Sequence, residues 1–246
     1  MNEILVGTEL QDVTEIDLTK SANRNQGYNV LEDLVLIGIP VYYREIPEVV
    51  LPFFKRLTGN KKPVFIVAVY GNVTEGNTIN QLKNLLETKN FYVIGGASFI
   101  AEHSFSHEEF PIAHGRPDAQ DLKIAHSIGQ QIIKKLVNFD RILDIPKPPF
   151  PESTAITPSP HKGMAKFIVE QPVLNPESCM KCQNCVESCP TDAIESDTFL
   201  INESDCIRCF ACVKSCPNNA RQIKFKWIPP FFKKAQKKRR EPQIYL

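Results

Sequence analysis

All eight cysteines of the chain lie between residues 179 and 216. They form two runs of one spacing, with cysteine at 0, +3, +6 and +10 and proline next: Cys179, Cys182, Cys185, Cys189–Pro190 and Cys206, Cys209, Cys212, Cys216–Pro217. Thiolates are soft metal ligands, and three of them spaced by two residues let a tight loop wrap three corners of a compact cluster. The fourth follows a short helical turn and points elsewhere; in paired runs of this kind it serves the other cluster. The spacing therefore predicts two 4Fe–4S clusters, one on Cys179, Cys182, Cys185 and Cys216, the other on Cys206, Cys209, Cys212 and Cys189. Zinc commonly takes Cys-x-x-Cys pairs across a longer gap. A third cysteine at the short spacing, the trailing proline and the duplication argue against it. Residues 179–193 and 206–220 are offset by 27 and share eight of fifteen residues, so the block reads as an internal repeat. Apolar Phe199, Leu200, Ile201, Ile207 and Phe210 are candidates to wall the clusters from water.

The elements that must carry this block follow from periodicity. Residues 1–142 alternate strand-like and helix-like segments. VTEIDL (13–18) alternates, while DLVLIGI (33–39), PVFIVAVY (63–70) and FYVIGG (91–96) are continuous apolar runs suited to strands buried on both faces. Helical spacing joins Val49, Val50, Phe53, Phe54 and Leu57, then Ile79, Leu82, Leu85 and Leu86, and most clearly Ala125, Ile128, Ile132, Ile133 and Leu136. Such alternation predicts an open α/β sheet. Residues 143–166 contain six prolines and read as a stiff linker. Residues 167–227 form the cysteine block, expected as a small α+β domain, and residues 228–246 a basic tail. Ligands in open α/β sheets bind beyond the carboxyl ends of the strands. Two loops stand there: PVYYREIP (40–47), with Tyr42 and Tyr43 to stack on a flat ring, and GNVTEGNT (71–78), with Gly71 and Gly76 for close backbone approach.

On these residues the chain resembles a known family. The cysteine block looks like the bacterial-type ferredoxin domain with two 4Fe–4S clusters, every ligand position filled. IGIPVYYREIP, the Tyr70–Asn72 turn and IAHGRPDAQD (112–121) resemble a flavodoxin-type domain, and the whole resembles the fused flavodoxin–ferredoxin proteins of anaerobic microbes. The resemblance implies FMN between the loops, against Pro40, Val41, Tyr42, Tyr43, Tyr70, Gly71 and Asn72. It also implies a first strand and a Ser/Thr/Gly-rich phosphate loop ahead of MNEILVGTEL, which itself reads as the end of the first helix. The expected fold is thus a flavodoxin-like open parallel sheet, N-terminally incomplete, plus the two-cluster domain.

Composition narrows the function. The chain is 42% hydrophobic and 23% charged, ample for a core. Its net charge of +1 conceals a polarity: residues 224–240 hold eight Lys/Arg and no acid, so the remainder is net acidic. No apolar run is long enough to span a bilayer, and no basic flank precedes an apolar stretch near Glu3, so a reducing, cytoplasmic setting is expected. The basic tail lacks a fold to present it to nucleic acid, and Pro229 and Pro230 are expected to interrupt any amphipathic helix at a membrane. It reads as a wrapping tail with a solvated basic segment, or as a steering element for acidic redox partners. His103 and His107 sit at i, i+4 but lack a third ligand, and read as a solvated loop. Asp118 suits helix capping and Arg116 a cofactor or partner contact. No serine elbow, P-loop or His-based nucleophile is present. The expected function is one-electron transfer between partner proteins, coupled to FMN. The alternatives are a flavin-dependent oxidoreductase fed by the clusters, and a ferredoxin on a cofactor-free flavodoxin-like domain.

Overall fold

The apolar run PVFIVAVY becomes the centre of the sheet because both of its faces find cover. The computed structural model describes residues 1–151 and 164–246. Strands β1 (Val35–Pro40), β2 (Pro63–Tyr70) and β3 (Tyr92–Ile100) run parallel in the order β1-β2-β3, with Ile37 opposite Ile66 and Ile66 opposite Gly96. A fourth strand, β4 (Gln243–Tyr245), adds antiparallel to β3, setting Ala97 against Ile244. The sheet is therefore mixed, not wholly parallel, and its last strand comes from the far end of the chain. Seven of the eight β2 residues are buried, which explains why the run shows no polar alternation.

Helices cover both faces. On one, α1 (Asn2–Thr8) and α4 (Ala119–Val137) pack Ile4, Ala125, Ile128 and Ile132 onto Phe65, Val67, Ile94 and Ala97. On the other, α2 (Leu51–Arg56) and α3 (Thr78–Thr88) set Phe53, Phe54, Ile79, Leu82 and Leu86 against Val64, Ile66 and Ala68. The α4 start is a capping box: Asp118 accepts from the Gln120 and Asp121 amides, and Asp121 accepts from the Asp118 amide at 2.8 Å. Asp121 is fully buried and also receives the Arg116 guanidinium. Asp118 thus caps, as its position before the helix suggested, and Arg116 is engaged by a buried carboxylate that the sequence did not single out.

Several expectations are corrected. Residues 13–18 form no strand. Their alternation is satisfied differently: Ile16 and Leu18 pack on the core. Asp17 accepts from the Thr19 amide at 2.9 Å, and its carbonyl accepts from the Asn23 amide group, turning the chain into a short helix, Ser21–Arg24. Among the described residues no strand lies beside 13–18 to complete a ladder. The pattern over 49–57 splits into a 3-10 turn, α2 and a two-residue bridge in which Leu57 pairs with Tyr28. Of the proline-rich 143–166, residues 152–163 lie outside the described part. Residues 145–151 are pinned to the domain: Ile145 is buried, the Phe150 ring stands 5.6 Å from the Tyr245 ring, and Asn80 donates to the Pro151 carbonyl at 3.0 Å.

The tail also differs. Pro230 starts a helix, Pro230–Lys237, where it was expected to interrupt one. Proline in the first helical turn lacks only an amide that has no partner there anyway. The helix seats Phe232 and Ala235 and leaves Lys233, Lys234 and Lys237 in solvent.

Candidate metal centres

Each Cys-x-x-Cys-x-x-Cys loop is shaped by left-handed residues set between its cysteines. Lys181 and Gln183 have φ of 54° and 66°, and Arg208 and Phe210 have φ of 58° and 60°. Non-glycine residues avoid this region, so four of them at matched positions mark a backbone held against its preference. Alternating hand turns successive amides inward, the geometry that makes a concave anion-binding nest. The second left-handed residue of each loop then caps a one-turn helix, Asn184–Glu187 (α5) or Ala211–Lys214 (α6), which carries the third cysteine, buried in both. These two helices pack together, with the Ser188 and Ser215 hydroxyls 2.8 Å apart. Each fourth cysteine accepts an amide: Ala193 donates to Cys189 Sγ at 3.3 Å and Ala220 to Cys216 Sγ at 3.2 Å.

The chain folds so that the runs cross. One hollow is lined by Cys179, Cys182, Cys185 and Cys216, the other by Cys206, Cys209, Cys212 and Cys189. Each measures about 320 Å³ including its open mouth. All eight thiols are free of disulfides. Among the described residues, no three Cys, His, Asp or Glu side chains converge tightly enough to hold a single metal ion. Four thiols standing apart around a hollow suit a multi-atom cluster better than one tetrahedral zinc, whose sulfur ligands sit about 2.3 Å from the ion. The donor set fits 4Fe–4S chemistry.

The hollows differ in their walls. Leu174, Met180, Phe199 and Ala220 line the first, beside polar Gln183, Asn218 and Arg221; Cys182 is exposed there. The second is closed by Pro172, Ile194, Ile201, Ile207 and Phe210. Burial pushes the Cys209 thiol up to about 11 and Cys212 up to about 12, the mark of an apolar surround. Leu200, expected among the wall residues, is 63% exposed and turns away. Arg208 and Arg221, the two buried arginines of this block, were not anticipated. Arg208 points Nη1 at Cys206 Sγ at 3.7 Å and pairs with Glu203 at 2.8 Å. Arg221 donates to the Pro172 and Phe199 carbonyls, at 3.3 and 2.5 Å.

The loops beyond the strands are filled by the chain itself. Val41 continues the ladder by donating to the Val69 carbonyl at 2.8 Å, and Pro40 is exposed at the strand end. Burial and then nearby Cys209 push the Tyr42 phenol up. The Tyr43 hydroxyl accepts from the Ala165 amide at 3.3 Å. Tyr70 is buried, and a Cβ on Gly71 would meet the His103 ring at 2.3 Å. Asn72 is 3% exposed and donates to the Ala235 and Lys238 carbonyls at 2.7 and 2.6 Å. Gly76 (φ +62°) is crowded by Arg44, joining the two loops to each other. A stacked flavin needs an open aromatic face, and here the Tyr43, Tyr70 and Asn72 side chains are taken up by the chain's own packing.

His103 and His107 form no helical pair. His103 is only half-exposed: its ring packs on Phe105 and Phe232, centroids 4.9 and 5.0 Å away, and burial pushes it down to about 4.

No curated protein matches the chain. Residues 171–224 match the family model for the 4Fe-4S dicluster domain. That span holds all eight cysteines and both hollows, so the match supports an iron–sulfur electron-transfer role for this block.

Proposed function

We propose that the chain is a one-electron carrier holding a 4Fe–4S cluster in each hollow. The ligands are Cys179, Cys182, Cys185 and Cys216 in one, and Cys206, Cys209, Cys212 and Cys189 in the other. The observation that carries this reading is the crossing of the two runs, which gives each hollow three thiols from one loop and the fourth from the other. Such a cluster, when bound, takes up and releases one electron without a covalent bond being made or broken. The protein's part is to bury, to donate amides to the thiolates and to present a docking face. Amide donors such as those of Ala193 and Ala220 offset negative charge on sulfur. Exposed Lys233, Lys234 and Lys237 favour acidic partner proteins, with exchange rates that fall as salt rises.

The leading domain is read as a flavodoxin-like scaffold acting without flavin. Its helices on both faces of a parallel core support the first part, and its filled strand ends the second. Anaerobic purification followed by iron, sulfide and flavin counts tests both. About eight irons and eight sulfides with no flavin are expected, as two 4Fe–4S clusters require. Near-stoichiometric FMN would remove the flavin-free reading, and zinc without iron would overturn the clusters.

A further inference from the structure

Arg221 is 2% exposed, lines the Cys179/Cys182/Cys185/Cys216 hollow, and leaves its Nε proton without an acceptor. Its two hydrogen bonds go to neutral carbonyls, and among the described residues no carboxylate pairs with it. A buried charge without a counter-charge is costly by several kcal/mol. Arg208, also buried, reaches a thiol of the other hollow, Cys206 Sγ at 3.7 Å, but its charge is offset by Glu203 at 2.8 Å. The anion available to Arg221 is the thiolate set of the hollow it lines. Twenty-seven residues earlier in the repeat stands Ile194, and it lines the other hollow. One position thus places a cation on the first hollow and a hydrocarbon on the second.

We propose that Arg221 sets the order of reduction: its uncompensated guanidinium makes the Cys179/Cys182/Cys185/Cys216 centre the more easily reduced of the two. The proposal rests on the two-cluster reading above. Adding an electron makes a centre more negative, and a fixed positive charge in low dielectric favours that form. The apolar wall and buried thiols of the second hollow disfavour it. An electron delivered by a reduced partner protein therefore comes to rest on the first centre, which is also the one with an exposed ligand, Cys182. Arg221 lines the first hollow and not the second, so the second centre should move in the same sense but less.

The test is a potentiometric titration of the full chain, followed by electron paramagnetic resonance, after iron and sulfide have been counted. Wild-type protein should show two resolved one-electron steps. Arg221→Gln, with its iron retained, should weaken reduction in the higher step at least tenfold, a shift of about 59 mV to more negative potential, and move the lower step less. Arg221→Lys, which keeps a charge, should stay nearer wild type. If Arg221→Gln does not assemble, Asn218→Asp decides: this exposed residue lines the same hollow, so the added carboxylate must lower the higher step. Coincident wild-type steps, an unmoved higher step in an iron-replete variant, or a larger shift of the lower step would overturn the proposal. A wild-type protein without about eight irons would instead sink the two-cluster reading itself.

Discussion

At the residue scale, the crossing of the two runs separates sequence neighbours chemically. Cys216 lies four residues from Cys212, yet the two line different hollows. Cys216→Ser should therefore damage the centre of residues 179–185, in the other run, and leave its own run's centre in place. Iron should fall from about eight to about four per chain, with the remaining signal that of an apolar, buried site. Loss of the signal of the Cys206/Cys209/Cys212 centre instead would show that each run serves a single site. The cysteine positions were legible because ligand spacing is a local property. The arginines were not: nothing in CIRC or NARQ tells that these side chains fold inward, since arginine is ordinarily exposed.

At the element scale, α1 and α4 touch backbone to backbone. A Cβ on Gly129 would stand 2.1 Å from the Ile4 carbonyl oxygen, and one on Gly7 equally close to that of His126. Helix propensity alone favours alanine over glycine by about 1 kcal/mol. Overpacking in a tight contact costs about 1–3 kcal/mol, with more where backbone must shift, so the clash wins. Gly129→Ala is expected to destabilise the fold by a net of up to about 2 kcal/mol, read as a lower urea midpoint. A raised midpoint would mean that α1 is not seated on α4. The strong helices α3 and α4 were readable from their stripes, because a 3.6 period is written into the sequence. The strand expected at 13–18 was not secured by its alternation, because a strand needs a neighbour to take its amides and carbonyls, and a single segment cannot supply one.

At the scale of the whole molecule, the tail and the cluster block close over the ends of the strands. Arg24 donates to the Pro190 carbonyl, Lys214 pairs with Glu102 at 2.9 Å, and Arg239 pairs with Asp118 at 2.7 Å. His103 sits in this junction, against Gly71 of the sheet end and Phe232 of the tail helix, with the Lys214 ammonium adding to the burial that holds it neutral. At neutral pH the ring is uncharged in folded and unfolded chains alike. As pH falls below the unfolded value of 6.5 the unfolded chain binds a proton that the folded one refuses until about pH 4. Stability should thus drop by up to about 1.4 kcal/mol per pH unit across that window. His103→Asn, which can still accept from the Phe105 amide, should flatten the fall between about pH 7 and 5.5 in thermal unfolding. An identical slope in the two proteins would remove His103 from the junction's pH response. Among the described residues no helix is long and apolar enough to cross a membrane.

The sequence by itself determined the cluster chemistry, the two loops that carry it, the central strands and the long helices, because spacing and period act over a few residues. The crossing of the thiols between loops was expected from the spacing as well; the tertiary structure alone decided that Arg221 lines one hollow without a counter-charge while Arg208 reaches Cys206 at the other with Glu203 as its partner. It also decided that residues 70–72 are packed under the tail, more than 160 residues away, where the chain's own side chains take up the space expected for a ligand. These outcomes depend on which distant segments meet, and contacts between segments far apart in the chain are specified by the joint packing of both, not by the pattern of either.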